Sequence, residues 1–331
     1  MAGIPSPVAG LTFRPSARED APGVHRVMVE SYDVDRPQER ETLADVEEQY
    51  DTPWWDAATD GLVAVDDTGA VRAYAQVIDR PGQVRTRQAF LFGAVAPPHR
   101  GQGVGRALLG WQVERGRERL ADGARGDRPV FLRTFAEDHL ADRNRLLGAA
   151  GFEARRWYTS MRRDLARPLP ETDLPAGLRA VTPEAGDTDL LDRVRRTHND
   201  AFAGHWGSEP FEPDDWRRRA VTGHGRRPDL SCAVLAEGGE VVAYQMSGTF
   251  PDDWEAQGFT EGWTDLLGVA EAHRGRGLGR WLLLDAMRRY AAEGLQYAGL
   301  GVDVDNPRAL ALYTGLGYEV RGRETSWVLD L

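Results

Sequence analysis

Val269-Ala270-Glu271-Ala272-His273-Arg274-Gly275-Arg276-Gly277-Leu278-Gly279-Arg280 stands between an apolar, strand-like run ending at Val269 and a helical run opening at Leu278. Glycines at alternate positions let the backbone turn where other residues cannot, and they bring successive N–H groups to bear on one point. The first turn of the helix adds donors without intrahelical partners and the positive end of the helix dipole. Such a cradle suits a pyrophosphate or similar anion, and Arg274, Arg276 and Arg280 add charge. A dinucleotide fingerprint needs Gly-x-Gly-x-x-Gly. Here the spacing is Gly-x-Gly-x-Gly and Arg280 stands where the third glycine belongs.

The stretch occurs twice. Val95-Ala96-Pro97-Pro98-His99-Arg100-Gly101-Gln102-Gly103-Val104-Gly105-Arg106 matches it 174 residues earlier. Further on, Gly151-Phe152-Glu153 and Asp164-Leu165 return as Gly317-Tyr318-Glu319 and Asp330-Leu331, 166 residues later. The shortfall reads as extra loop in the first copy, around Asp122 to Arg128. Two matches in register and in order indicate two homologous domains. They are expected at 1–166 and 178–331, joined by a semi-rigid linker at 167–177 that carries Pro168, Pro170 and Pro175.

Each copy reads alike around its glycine loop. Leu11 to Pro15 and Leu178 to Val181 open as short strands, and Ala21 to Tyr32 and Asp187 to Ala203 follow as helices. Gly61 to Val65 and Val71 to Ile78 alternate like a hairpin turned by Asp66-Asp67-Thr68-Gly69; Cys232 to Ala236 and Val241 to Ser247 repeat it around Gly238-Gly239. Strands at Ala89 to Val95 and Thr264 to Val269 lead into the glycine loops. Val104, Ala107, Leu108 and Trp111, and again Leu283, Met287, Tyr290 and Ala291, keep a helical period. Strands at Val130 to Thr134 and Tyr297 to Val304, a helix, a Gly-aromatic turn and a last strand close each unit. The order describes an α+β fold in each half, a mixed and mostly antiparallel sheet flanked by helices.

Composition narrows the function. The 331 residues include 52 Asp and Glu against 41 Lys and Arg, for a net charge of −11. A nucleic-acid binder is normally basic, so no nucleic-acid partner is expected; an acidic surface tolerates an amine. The apolar runs are far shorter than a membrane span, and Met1 to Phe13 carries no basic-then-apolar leader, so neither membrane nor secretion is expected. The lone Cys232 offers no disulfide and the seven histidines no paired ligand spacing. No metal site and a cytoplasmic location follow as expectations. All 41 basic residues are arginine. A Walker A loop and Schiff-base lysine chemistry are thereby excluded.

Arg100-x-x-Gly103-x-Gly105 and Arg274-x-x-Gly277-x-Gly279, each between strand and helix, resemble the acyl-CoA pyrophosphate loop of the GNAT superfamily of N-acetyltransferases. Asn306-Pro307-Arg308-Ala309-Leu310-Ala311-Leu312-Tyr313-Thr314-Gly315-Leu316-Gly317-Tyr318 is similar to that family's Asn-x-x-Ala-x-x-x-Tyr-x-x-x-Gly-Phe/Tyr signature. The tandem arrangement and Asn199-Asp200-Ala201-Phe202-Ala203-Gly204-His205-Trp206-Gly207 look like the mycothiol synthase-like members. The resemblance covers nearly the whole chain. It implies two tandem GNAT domains and transfer of an acetyl group from acetyl-CoA, as co-substrate, to the primary amine of a small molecule. A catalytically silent protein of the same fold that binds acetyl-CoA is the alternative reading, and a transferase for a longer acyl chain is a further one. Tandem fusion can replace a homodimer, so a monomer is expected.

The resemblance also assigns roles. Acetyl-CoA lies between the strands ending at Val269 and Val304, its thioester oxygen held by backbone N–H near Leu267 to Val269. Gly275, Arg276, Gly277, Leu278, Gly279 and Arg280 take the diphosphate with Arg274; Val95, Arg100, Gly101, Gln102, Gly103, Val104 and Gly105 are their counterparts in the first copy. Tyr313 is the expected acid for the leaving thiolate. Asn306, two helical turns before it, faces the cofactor and caps the helix before Pro307. Alternation puts Trp263, Asp265 and Leu267 on one face. Asp265 is the first choice for the base, and Glu261, of the same parity, is the second. His205 and Trp206 are substrate candidates, with Trp216 and Trp254 and the acidic loop from Phe250 to Gly262 nearby.

The copies are unequal. A shift of 174 maps Asp265 to Leu91 and Trp263 to Ala89. A shift of 166 maps Tyr313 to Leu147, Asn306 to Leu140 and Ala309 to Arg143. The first copy keeps the loop and loses the chemistry, leaving only His139 and Tyr158 as substitute acids. Catalysis is expected in the second.

Overall fold

A computed structural model of the chain describes residues 2–37, 40–121 and 127–331. The first half runs β1 (Thr12–Pro15), α1 (Ala21–Asp35), α2 (Leu43–Tyr50), α3 (Ala57–Asp60), β2 (Gly61–Val65), β3 (Val71–Ile78), β4 (Arg87–Val95), α4 (Val104–Ala121), β5 (Val130–Glu137), α5 (Ala141–Ala149) and β6 (Glu153–Asp164). The second runs β7 (Leu178–Val181), α6 (Thr188–Ala201), α7 (Pro213–Arg217), β8 (Cys232–Ala236), β9 (Val241–Gly248), α8 (Pro251–Gln257), β10 (Glu261–Val269), α9 (Leu278–Ala292), β11 (Tyr297–Asp303), α10 (Pro307–Gly315) and β12 (Glu319–Asp330). The strands and helices read around the glycine loops are all present. The extra loop placed around Asp122 to Arg128 lies, for residues 122–126, outside the described residues. The supposed loop from Phe250 to Gly262 holds α8 instead, with Pro251 in its first turn. No helix among the described residues is long and apolar enough to cross a membrane.

The chain packs as two compact units, Met1–Trp157 with Glu324–Leu331, and Tyr158–Arg323. The division therefore does not run at 167–177, as the prolines suggest, but through β6 and β12. Glu324 to Asp330 pairs with β5 from Glu137 back to Phe131, in the first unit. Tyr158 to Asp164 pairs with β11 from Asp303 back to Tyr297, in the second. Each half thus donates the end of its last strand to the other unit, and nothing in apolar alternation states which edge a strand will join. The linker is not free either. Arg163, buried, donates to the carbonyls of Arg167 and Pro168, and Leu169 and Leu174 pack into the second unit's apolar clusters.

Within each unit the sheet is antiparallel except at one place. The first is ordered β1-β2-β3-β4-β5 followed by the end of β12, with β4 and β5 parallel. The second is ordered β7-β8-β9-β10-β11 followed by the end of β6, with β10 and β11 parallel. In the second unit α9 buries Leu283, Met287 and Tyr290 with Leu300 and Val302 of β11 on one face. On the other, α6 buries Leu190, Leu191 and Val194 with Trp216, Tyr244 and Met246. Asp187 caps α6 by accepting from the N–H of Leu190 at 3.0 Å. Each fully buried leucine or valine contributes about 1.5–3 kcal/mol, so both faces are rigid walls for whatever lies at the strand ends.

Candidate active site

The strands β10 and β11 pair from Glu261 opposite Tyr297 to Thr264 opposite Leu300. Both continue, β10 to Val269 and β11 to Asp303, without pairing to each other. Parallel neighbours that stop pairing while both run on leave a wedge lined by backbone N–H and C=O groups. Leu267 and Val269 lie on its β10 arm. The first unit repeats the device, with β4 and β5 paired only from Arg87 opposite Val130 to Phe90 opposite Arg133.

Beyond the wedge lies the glycine loop. Gly275 and Gly277 hold φ of +77° and +81°, and Gly101 and Gly103 hold +72° and +91°. L side chains rarely adopt these values. Gly277 is the left-handed N-cap of α9, and no side chain caps that helix. The amides from Gly275 to Arg280 donate to no acceptor among the described residues, and neither do those from Gly101 to Arg106. Gly279 differs: a Cβ there would stand 3.4 Å from Leu312, an ordinary contact between the start of α9 and α10. The open amides at a helix start suit an anion.

Two arginines assigned to that anion are turned elsewhere. Arg274 donates through Nε to the Val269 carbonyl at 3.2 Å and through Nη2 to the Ala201 carbonyl at 3.1 Å. Arg100 donates to the Val95 carbonyl at 2.8 Å and grips both oxygens of Asp35 at 2.6 and 2.8 Å. In both units this arginine ties the strand end to the C-terminus of the first long helix. It positions the loop. Arg276 and Arg280 make no side-chain hydrogen bond or ion pair among the described residues.

A bulge separates the two copies. Trp263 and Thr264 face Gly248 and Ser247 of β9, but Leu266 faces Met246, so Asp265 is an extra residue in β10. The β3–β4 register is unbroken from Ile78 opposite Phe90 to Ala73 opposite Val95. Pairing on both sides therefore equates Trp263 with Phe90, Thr264 with Leu91 and Leu266 with Phe92. Asp265 has no counterpart in the first unit. The uniform 174-residue shift, which set Asp265 on Leu91 and Trp263 on Ala89, fails below the bulge. The bulge also breaks the expected shared face. Trp263 stands over Gly299 and Gly301, while Leu267 packs on the side of α9 and α10.

Both base candidates are held by arginines that sequence reading did not find. The Asp265 carboxylate lies 2.8 Å from Nη1 of Arg226, both side chains mostly buried, in an ion pair that is off hydrogen-bond alignment. Glu261 accepts from Nε of Arg162 at 2.6 Å, and that guanidinium lies 3.7 Å over the Phe259 ring. Burial pushes the Glu261 carboxyl up, and Arg162 opposes the shift. Glu261 and Trp263 crowd Gly299, where a Cβ would come within 2.7 and 2.4 Å of them. Arg226 reaches Asp265 from the loop before β8 and Arg162 reaches Glu261 from a strand of the other half, so no local spacing announces either.

Tyr313 lies in α10, packed against the cluster that holds Leu283, Leu300 and Tyr318, its ring 6.0 Å from that of Tyr318. Burial pushes its hydroxyl up to about 12, so it keeps its proton at neutral pH. Asn306 caps α10 as expected, accepting from the Ala309 N–H at 3.1 Å with Pro307 in the first turn. The α5 helix of the first unit is the same length, with Leu140 at the cap and the buried Leu147 in place of Tyr313. Neither substitute acid is placed for the role there. His139 donates from Nε2 to the Asp35 carbonyl at 2.7 Å, and Tyr158 belongs to the second unit. Phe90 stacks with Phe92 and Phe135 where the second unit has Trp263, Leu266 and Gly301.

Against the β10 face, His198 of α6 meets the Tyr244 hydroxyl through Nδ1 at 2.5 Å and stacks on Phe202 at 4.5 Å. Burial pushes His198 down to about 4, with Arg219 adding to the shift. His205 follows on the loop after α6, its ring 4.6 Å from Phe202. Burial lowers it, Asp303 opposes and Arg274 adds. Asp303 ends β11, and Arg274 is tied to the Val269 carbonyl at the end of β10. Trp206, on the same loop, is half-buried. Trp216 is core, its ring tilted against His198 and edge-on to Tyr244. Trp254, in α8, packs against the α9 cluster.

The acetyltransferase (GNAT) family model matches residues 26–152 and again 191–318. A mycothiol acetyltransferase of Frankia alni is 34% identical over 255 residues, covering 74% of this chain and 71% of that protein. Among solved structures, a GCN5-related N-acetyltransferase from Sphaerobacter thermophilus superposes with a TM-score of 0.74 at 22% identity, covering 99% of this chain and 97% of that one. A tandem GNAT protein from the clavulanic acid biosynthesis pathway superposes with a TM-score of 0.69 at 18% identity, covering 97% and 98%. Two family matches in register with two wedges and two glycine loops make one statement: the chain belongs to the acetyltransferase (GNAT) family, with its domain present twice in tandem.

Proposed function

We propose that the second unit transfers an acetyl group from acetyl-CoA to the primary amine of a small molecule and that the first unit does not. The observation that carries this reading is the coincidence, in Tyr158–Arg323 alone, of the β10–β11 wedge, the open amides from Gly275 to Arg280, the bulge carboxylate Asp265 and the half-buried Tyr313. The diphosphate sits on the loop amides with Arg276 and Arg280 beside it. Backbone N–H groups between Leu267 and Val269 hold the thioester oxygen as charge develops there. Asp265 takes a proton from the acceptor's ammonium, and Glu261 is the second choice for that role. The amine nitrogen then bonds to the acetyl carbon and the C–S bond breaks. Tyr313 gives its proton to the thiolate and regains one from the nitrogen as the amide forms. His205 and Trp206 border the acceptor.

The relatives named mycothiol acetyltransferase support a small-molecule acceptor. The first unit, with Leu147 and a stacked phenylalanine cluster at the corresponding places, serves as a support that binds acetyl-CoA or nothing. A free-thiol release assay with acetyl-CoA and a panel of amines tests the reading. Turnover with an amine is the expected result. Absence of release with every amine, alongside tight acetyl-CoA binding, overturns it in favour of a silent protein.

A further inference from the structure

The Asp265–Arg226 pair is an unusual place for a base. The carboxylate lies 2.8 Å from a guanidinium that already occupies one of its oxygens. The pair is also incomplete. Asp265 Oδ2 and Arg226 Nη1 are buried and close, yet neither makes an aligned hydrogen bond. Nε and Nη2 of Arg226 meet no acceptor among the described residues; the guanidinium lies 5.6 Å over the Phe250 ring. Its backbone bridges Gly248, the residue that faces Trp263 just before the bulge. The Glu261–Arg162 pair differs, being an aligned 2.6 Å hydrogen bond.

We propose that Arg226 reads a carboxylate on the acceptor, so that the amine acetylated here belongs to an α-amino acid or a close derivative with a free carboxyl group. This deepens the proposed function and rests on it. A guanidinium presents planar pairs of donors that match a carboxylate, and Nε and Nη2 of Arg226 are not used by any acceptor among the described residues. The two charges of the pair are in contact, so an acceptor bridging them carries its ammonium and its carboxylate within a few bonds of each other, as an α-amino acid does. The acceptor's carboxylate draws the guanidinium from Asp265, and its ammonium takes the vacated place. Asp265 then faces the ammonium directly and takes its proton. A simple amine leaves the pair closed. Arg226 is therefore a specificity-determining residue, and Asp265 meets the ammonium only when the matching acceptor opens the pair.

The test compares leucine, leucinamide and 3-methylbutylamine, which share a side chain and differ in the group beside the amine. Thiol release is measured with acetyl-CoA for the intact chain, Arg226→Gln and Arg226→Lys, and binding of the three compounds is followed by calorimetry on the protein saturated with CoA. Leucine is expected to exceed both neutral compounds in kcat/KM by about tenfold or more, the worth of a charge-assisted contact. In Arg226→Gln the ratio falls to about one, and Arg226→Lys restores part of it. Equal kcat/KM for the three compounds in the intact chain overturns the proposal, as does a ratio unchanged in Arg226→Gln. If no thiol is released at all, the proposed function fails. The calorimetric ranking still decides the inference, since equal or absent binding of leucine and leucinamide overturns it. A thermal midpoint for each variant separates loss of the pair from loss of the fold, and Asp265→Asn opens the same pair from its other side.

Discussion

Tyr313, the acid of the proposed mechanism, owes its protonated state to its surroundings. Its side chain is half-buried among apolar neighbours, and that desolvation penalises the phenolate and pushes the group up to about 12. Tyr313→Phe is expected to lower kcat by about 100-fold or more while leaving the KM for acetyl-CoA nearly unchanged, the mark of a group used only as the thiolate leaves; steady-state thiol release checks it. His198 is the opposite case, a neutral imidazole buried at about 4 against an ordinary 6.5. Between those values the unfolded chain binds a proton that the folded chain refuses, so stability falls as pH drops from 6.5 to 4. The loss is at most about 3 kcal/mol. Urea unfolding at pH 7 and pH 4.5 is expected to show a difference that shrinks in His198→Gln.

At the scale of elements, the glycine loops were legible because their chemistry is local. A left-handed residue before a helix asks for glycine, and the sequence supplies it in both copies. Gly277→Val places a β-branched residue at φ +81°, where nothing crowds the side chain but the backbone itself is strained by about 1–3 kcal/mol. It is expected to weaken acetyl-CoA binding and turnover together. Gly103→Val is expected to leave turnover within about twofold, because the first unit carries no acid or bulge carboxylate. Equilibrium dialysis and thiol release on both variants check the pair. The bulge at Asp265 was not legible. A one-residue insertion leaves the composition of β10 unchanged, and only the register against β9 exposes it. The same holds for Arg226 and Arg162, whose partners are distant in sequence. The helices α2, α3, α7 and α8 were missed because each is short, and only α2 carries a full capping box, at Thr42 with Asp45.

For the whole molecule, repetition was the readable fact and exchange the hidden one. Identical endings at Asp164-Leu165 and Asp330-Leu331 mark the last strand of each half but do not state which sheet receives it. Truncation after Arg323 is expected to damage the first unit, because it strips β5 of the partner that covers Phe131 and Leu132. Limited proteolysis of the shortened chain should then cut within residues 1–157 first and spare Tyr158–Arg323, the reverse of what a C-terminal deletion ordinarily does. The crossed endings also bear on how this chain came to be inherited as one piece. A nick anywhere from 167 to 177 would yield two fragments, each still wearing the garment edge cut for its sibling. Mixed together they should reassemble, whereas either alone should be left with an unhemmed sheet and a strand without a home.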